Sequence, residues 1–349
     1  VKKAAIITIW DLENLGNRLQ NYAVSKIVEK KGLIPKTIII DEKKALTLKR
    51  RAKYLYWCFC FIITNGKKRI FEYRKQHFHD FTRKNIPSYV VHNQKELNEF
   101  DYVFIGSDQI WNSAFVEPSE YVYAQMVPPE KVICISPSFG VSSFDEEIEK
   151  KITPYLERLI HLNVREHSGA EIIKRLTGKD VPVFIDPTLM LTTEEWIQIE
   201  KKPRKIIKNK YILKYFLGKE PEESVKDTKK LADEYGYDVI NVFDKNFPWQ
   251  YATGPAEFLY LIHHAEMIFT DSFHSCVFSI QFKRPFWVYK RIGESMNSRM
   301  DTLFELLNME SRFVHDQNDP FRIDYSGVET ALERERERVN SFLDNIISE

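Results

Sequence analysis

The stretch Met267-Ile-Phe-Thr-Asp-Ser-Phe-His-Ser-Cys-Val-Phe-Ser-Ile-Gln-Phe-Lys-Arg-Pro-Phe-Trp-Val-Tyr289 decides the fold of this chain. A short apolar run, Met267 to Phe269, ends in Thr270, Asp271, Ser272 and His274. A helical stretch from Cys276 to Phe282 follows, and then a second strand-like run from Phe286 to Tyr289. Strand, polar turn, helix and strand in that order form one unit of a parallel α/β sheet. In such a sheet ligands sit beyond the carboxyl ends of the strands. The N–H groups and dipole of the next helix favour an anion there, and a histidine at that spot exchanges protons near neutral pH. The unit points to acid–base chemistry beside a phosphate or carboxylate.

Working outward, the same alternation recurs. Ala4–Ile9, Lys36–Ile40, Ser88–Val91, Tyr102–Ile105, Val132–Ser136, Leu162–Arg165 and Val183–Ile185 read as strands, with helices at Asn17–Lys31 and His167–Leu176. A second series follows: strand Tyr211–Leu217, helix Pro221–Tyr235, strand Asp238–Val242 and helix Pro255–His264. Short apolar strands separated by helices imply parallel sheets covered on both faces. The fold class expected is α/β, with two doubly wound, Rossmann-like domains facing a cleft. A polar connector containing Lys201-Lys-Pro-Arg-Lys205 places the boundary between Pro187 and Lys210. The divisions expected are 1–190, 191–327 and a C-terminal helix over 328–349.

Composition narrows the class further. The chain has 349 residues, 43% hydrophobic and 29% charged, which is ordinary for a globular protein of about two domains. A net charge of +1 argues against a general nucleic-acid binder. The four cysteines, Cys58, Cys60, Cys134 and Cys276, show no disulfide framework, so a cytoplasmic setting is expected. No secretory leader is read, and no apolar run reaches the roughly 20 residues needed to span a bilayer. Residues 43–75 depart from the average, with eleven Lys/Arg against Glu72 alone, which leaves −9 for the remainder. They flank Tyr54-Leu-Tyr-Trp-Cys-Phe-Cys-Phe-Ile-Ile63. This segment is either a helix with a solvated basic face or a peripheral contact with anionic lipid at the inner membrane face.

Four further places combine a strand end with polar residues. After the first strand comes Asn14-Leu-Gly-Asn-Arg-Leu-Gln20, in which Asn17 caps a helix while Arg18 and Gln20 leave its first turn. Gly106-Ser-Asp-Gln-Ile-Trp111 follows another strand. Its Ser107, Asp108 and Gln109 can bind sugar hydroxyls, and the Trp111 indole can stack on a sugar face; the alternative is a cap and a core tryptophan. Arg165, before the helix of Glu166-His-Ser-Gly169, is placed to grip an anion or to pair with Glu166 or Asp186. Asp186, before Pro187, either orients another side chain or caps the turn. Cys276 reads as a buried helix residue rather than a nucleophile.

Some signatures are absent. There is no G-x-x-x-x-G-K-[ST], G-x-G-x-x-G or G-x-S-x-G. The nine histidines show no H-E-x-x-H spacing, and no D-x-D occurs. No metal site is expected.

Taken in order, these segments resemble the polysaccharide pyruvyl transferase family. The resemblance runs through Asn14–Gln20, Gly106–Trp111, Ser138-Phe-Gly140, Val164–Gly169, Asp186–Leu191, Asp271-Ser-Phe-His274 and Arg299. It implies a GT-B-like fold and transfer of pyruvate from phosphoenolpyruvate, as co-substrate with no further cofactor, to a saccharide or lipid-linked oligosaccharide, giving a ketal. It also implies catalytic roles for Arg165 and His274, to which Asp108 is added as a second acid–base or orienting group. Asn14, Asn17, Gln20, Ser107, Gln109, Trp111, Ser272, Ser275 and Arg299 are the expected substrate contacts. The chain carries Ser272 where some relatives have arginine, and Ser275 where glycine is usual. The alternatives are a GT-B-type glycosyltransferase using a nucleotide sugar and a catalytically inactive sugar-binding relative.

Overall fold

The computed structural model describes residues 1–11, 13–40, 67–205, 207–291, 298–314, 319 and 321–347. Most of the basic and aromatic segment, residues 43–66, lies outside the described residues. The strands are β1 (Lys3–Ile7), β2 (Ile34–Ile40), β3 (Ser88–Val91), β4 (Tyr102–Ile105), β5 (Val132–Cys134), β6 (Tyr211–Tyr215), β7 (Asp238–Asn241), β8 (Met267–Thr270) and β9 (Phe286–Val288). The helices of the first half are α1 (Leu15–Lys30), α2 (Lys67–Asn85), α3 (Glu146–Arg158), α4 (His167–Thr177) and α5 (Thr193–Ile197). The second half has α6 (Glu222–Tyr235), α7 (Pro248–Tyr251), α8 (Pro255–His263), α9 (Phe273–Gln281), α10 (Ser298–Leu306) and α11 (Val328–Ile347).

Two sheets form, ordered β3-β2-β1-β4-β5 and β7-β6-β8-β9. Every strand pairing within each sheet is parallel. In the first sheet the chain runs outward from β1 to β2 and β3, then returns to add β4 on the other side of β1. That reversal opens a crevice at the carboxyl ends of β1 and β4, where Ile7 pairs with Ile105. The second sheet reverses in the same way between β6 and β8, where Tyr215 pairs with Thr270. Both polar segments singled out in the sequence therefore sit at topological switch points.

The central strands β1, β4, β6 and β8 are almost wholly buried, as expected when both faces of a parallel sheet are covered. All four residues of β4 and of β8 are buried. Helix α9 is buried on every side, since all nine of its residues are buried. An apolar circumference of this kind belongs inside a core rather than on a surface. Withdrawing a side chain such as Val277, Phe278 or Ile280 from water contributes about 1.5–3 kcal/mol each.

The structure departs from the sequence reading at three elements. Leu162–Arg165 and Val183–Ile185 are not strands; they meet only at an isolated bridge, Val164 with Val183. Pro137 and Pro182 stand beside them and supply carbonyls to Arg165 and Val164, but neither proline has an N–H to extend a ladder. Helix α9 begins at Phe273, three residues before the expected start, which moves His274 from the turn into the first helical turn. The C-terminal helix, α11, stands where the sequence placed it and packs against residues 184–191. Arg336 donates from Nε and Nη2 to the carbonyls of Leu189 (2.7 Å) and Leu191 (2.8 Å), and Phe342 packs edge-on against Phe184.

Arg74, from the basic segment, points inward. Its Nη1 donates to the carbonyls of Tyr251 (3.0 Å) and Thr253 (3.2 Å), tying α2 to the second half. No helix among the described residues is long and apolar enough to cross a membrane.

Candidate active site

The first turns of α1 and α9 meet across the two halves. Asn14, and not Asn17 as the sequence suggested, caps α1: its Oδ1 accepts from the N–H of Asn17 at 3.1 Å, because the helix starts at Leu15 and carries Asn17 inside its first turn. Asn17 in turn donates from Nδ2 to Oδ2 of Asp108 at 3.1 Å. Asp108 follows Gly106 and Ser107 and holds a left-handed φ of 62°, a conformation that few residues other than glycine adopt readily. Gly106 is required where it stands, because its φ is 124° and a Cβ would lie 2.4 Å from the Ile135 carbonyl oxygen.

Asp186 is the hub of the cluster. Its Oδ2 accepts from Arg165 Nη1 at 2.6 Å and from Ser107 Oγ at 3.2 Å, and lies 3.8 Å from His274 Nε2. Its Oδ1 accepts from the N–H and hydroxyl of Thr188, so it also caps the turn. Arg165 Nη2 lies 3.9 Å from Asp108, and its Nε 3.9 Å from Glu166. Its guanidinium sits 4.4 Å from the centre of the Phe273 ring, with that of Arg299 5.7 Å from the same ring. These are cation–π distances. Glu166 is held by Ser138 Oγ and the N–H groups of Phe139 and Gly140, all on Oε1.

Burial shapes the electrostatics. His274, Asp108, Arg165, Arg299 and Asp186 are each less than a tenth exposed. Burial pushes His274 below the ordinary imidazole value; Asp186 and Asp108 oppose that shift, while Arg165 and Arg299 reinforce it. The imidazole is therefore neutral at neutral pH. Burial works against the ionised form of Asp186, but Arg165 and His274 outweigh it and hold the carboxyl at about 2. Asp108 is also held low, by His274 and Arg165 against its burial. Burial lowers Arg299 to about 10, which leaves it a cation. Among the described residues, Arg165 Nε and Nη2 and His274 Nε2 have no hydrogen-bond partner. Buried donors left in that state are costly unless a ligand meets them.

His274 can stand where it does only because residue 16 is glycine. A Cβ there would lie 2.2 Å from His274 Nδ1. Gly16→Ala should raise helix propensity by up to about 1 kcal/mol. It should nonetheless lower turnover about 100-fold, the scale of an ångström's misplacement of a reacting group. Steady-state kinetics on the folded variant checks this.

Several expected contacts turn inward instead. Trp111 is buried, with Tyr123 stacked on it at 5.2 Å and Phe139 tilted against it at 5.2 Å. Its Nε1 donates to the Val122 carbonyl, so it is a core residue and its indole faces are not free to stack on a sugar. Gln20 bridges strand ends, donating to Thr8 Oγ1 and accepting from the N–H of Ser107. Gln109 accepts from Asn112 Nδ2. Ser272 begins α9 with its N–H on Thr270 Oγ1 and makes no side-chain cap. Ser275 is buried, and its hydroxyl donates to no described residue. Cys276 is fully buried and its thiol is pushed up, which suits a core residue. Asp271 fastens the end of β6, accepting from the N–H groups of Leu217 (2.7 Å) and Gly218 (2.8 Å), and it pairs with Arg291. Sequence reading missed Phe273 as the shared platform, and it offered Asp186 as a partner of Arg165 or a turn cap without joining it to Ser107 and His274. A buried arginine at a strand end needs a buried carboxylate, and that requirement was the available signal.

A model of the polysaccharide pyruvyl transferase family matches residues 14–291, most of the chain, including Asp108, Arg165, Asp186 and His274. The chain belongs to the polysaccharide pyruvyl transferase family. No curated protein sequence matches it. Among solved structures it is similar to Staphylococcus aureus MnaA, determined with UDP, at 16% identity and a TM-score of 0.53, covering 100% of this chain and 98% of that one. It is also similar to a Listeria monocytogenes protein assigned as a UDP-N-acetylglucosamine 2-epimerase, at 10% identity and a TM-score of 0.51, covering 99% and 97%. At such identities the likeness is one of fold, the GT-B-like pair of Rossmann-like domains. For a family member, the His274–Asp186–Arg165 cluster is the candidate catalytic centre.

Proposed function

We propose that this protein transfers pyruvate from phosphoenolpyruvate to two hydroxyls of one sugar in a surface polysaccharide or its lipid-linked precursor. The observation that carries the reading is the pair of partnerless donor atoms on buried Arg165, beside a neutral His274, in a chain of this family. Arg165 holds the donor's carboxylate or phosphate with Nε and Nη2, and Arg299 adds a second positive charge. Asp186 fixes Arg165 from the far side through Nη1.

His274 takes the proton of an acceptor hydroxyl as general base, and Asp108 orients the sugar. The donor's vinyl carbon gains a proton and becomes a methyl group. The central carbon forms two C–O bonds to the sugar as the C–O bond to phosphate breaks. Of the two hydroxyl protons, one ends on that methyl carbon and the other on the departing phosphate. No cofactor beyond phosphoenolpyruvate is needed for this balance. Because the cluster is buried, the first turns of α1 and α9 must part to admit the acceptor.

A glycosyltransferase reading draws support only from the UDP-bound fold relative. Thermal denaturation with each ligand separates the two. Phosphoenolpyruvate should raise the midpoint, by the equivalent of about 2.7 kcal/mol at a hundred times its dissociation constant. Stabilisation by UDP- or GDP-sugars and not by phosphoenolpyruvate would reverse the assignment.

A further inference from the structure

Three metal-ligating side chains converge at the C-terminal end of α8, away from the active-site cluster. Glu200 lies on the connector between the two sheets. His263 is the last residue of α8, and His264 is its C-cap. Each offers one ligand atom, and these atoms lie within 4.8 Å of one another.

Hydrogen bonding sets the tautomer of His264. His264 Nδ1 lies 3.0 Å from the Tyr260 carbonyl oxygen, which can only accept, so Nδ1 carries the proton and Nε2 keeps its lone pair. His263 Nδ1 lies 2.9 Å from Glu200 Oε2, the separation of two neighbouring ligands on one small ion, so that nitrogen and that oxygen are the ligand atoms these residues offer. A histidine that binds metal characteristically donates its other N–H to a carbonyl or carboxylate. Both rings are also held in place by stacking, His263 on Phe282 at 4.7 Å and His264 on Tyr260 at 4.0 Å. The negative end of the α8 dipole adds a preference for a cation.

We propose that Glu200, His263 and His264 form a binding site for one divalent transition ion of the Zn²⁺ class. Two imidazoles and a carboxylate suit a borderline cation, whereas Mg²⁺ and Ca²⁺ take oxygen ligands. The site is structural rather than catalytic. His263 packs on Phe282, the C-cap of α9, roughly 12 Å along that helix from His274. The bound ion ties the connector, through Glu200, to the C-terminal ends of α8 and α9, and so steadies the helix that presents His274.

Protein stripped with a chelator would be titrated with Zn²⁺ by calorimetry and melted with Zn²⁺ or Mg²⁺. The expected result is one Zn²⁺ per chain, a higher melting midpoint with Zn²⁺, and no shift with Mg²⁺. Glu200→Gln and His264→Gln should each weaken Zn²⁺ binding at least about tenfold, the loss seen even for outer-shell partners. His264 is exposed, so its variant should melt like the wild type without metal, and His264→Cys should restore binding. Absence of saturable binding by the wild type would overturn the proposal. So would an equal shift with Mg²⁺, or wild-type affinity in the glutamine variants, which would place the ion on other surface groups.

Discussion

Replacing His274 with glutamine should lower turnover by roughly 10²–10⁴-fold, the usual contribution of a positioned general base, while phosphoenolpyruvate still binds. Glutamine preserves much of the side chain's bulk but cannot accept a proton. Phosphoenolpyruvate affinity should survive because Arg165 takes its orientation from Asp186 and Phe273, not from His274. The pH profile gives an independent reading. The folded imidazole is held below its ordinary value of 6.5, chiefly by burial. The working form is the neutral one, so kcat/KM should be flat around neutrality and fall as the pH drops below that value. Kinetics of the free enzyme reports this ionisation. An acid limb centred above 6.5 would assign the base to another group.

Asp186→Asn should reduce stability by about 3–5 kcal/mol, the cost of removing one partner from a buried ion pair. The substitution keeps the shape and removes the charge. One end of the carboxylate faces Arg165 and Ser107, the other faces two donors on Thr188. An amide offers a single acceptor oxygen, so its NH₂ must confront a donor on one side. Chemical denaturation of the variant measures the loss. The sign with pH follows from the folded value of about 2 against an ordinary 3.8. The carboxylate's stabilisation is complete above 3.8 and disappears as pH falls through 2, so the variant's stability should vary less over that window. Equal stability of the two proteins would remove Asp186 from the centre of the site.

The sheet was legible because its signal is local. Four-residue apolar runs such as β4 and β8, each closed by polar residues and followed by a helix, state both the parallel arrangement and the position of the strand ends. Where local signal fails, the cause is visible in single residues. Phe273 looked like the tail of a turn, but it opens α9, because burial on all sides removes the periodicity that would mark a helix start. Val164 and Val183 looked like strands, yet proline neighbours limit them to one bridge. Trp111 follows a polar strand end as a sugar platform would, and only its packing on Tyr123 shows that it is core.

Asp186 was legible as a partner for Arg165 or a turn cap, but the convergence of Arg165, Ser107 and His274 on it was not. Asp186 meets Arg165 across 21 positions and Ser107 across 79, and sequence spacing carries no record of such distances. The closeness of Gly16 to His274 joins opposite halves of the chain for the same reason.

The central claim is that the cluster around His274 and Arg165 moves pyruvate from phosphoenolpyruvate to a sugar. The most direct measurement incubates the purified protein with phosphoenolpyruvate and a panel of galactosides and glucosides, following inorganic phosphate and the mass of the saccharide. The account predicts phosphate release that depends on the acceptor, matched by an acid-labile pyruvate ketal, with both lost in His274→Gln. Turnover of nucleotide sugars with no ketal formed across the panel would contradict it.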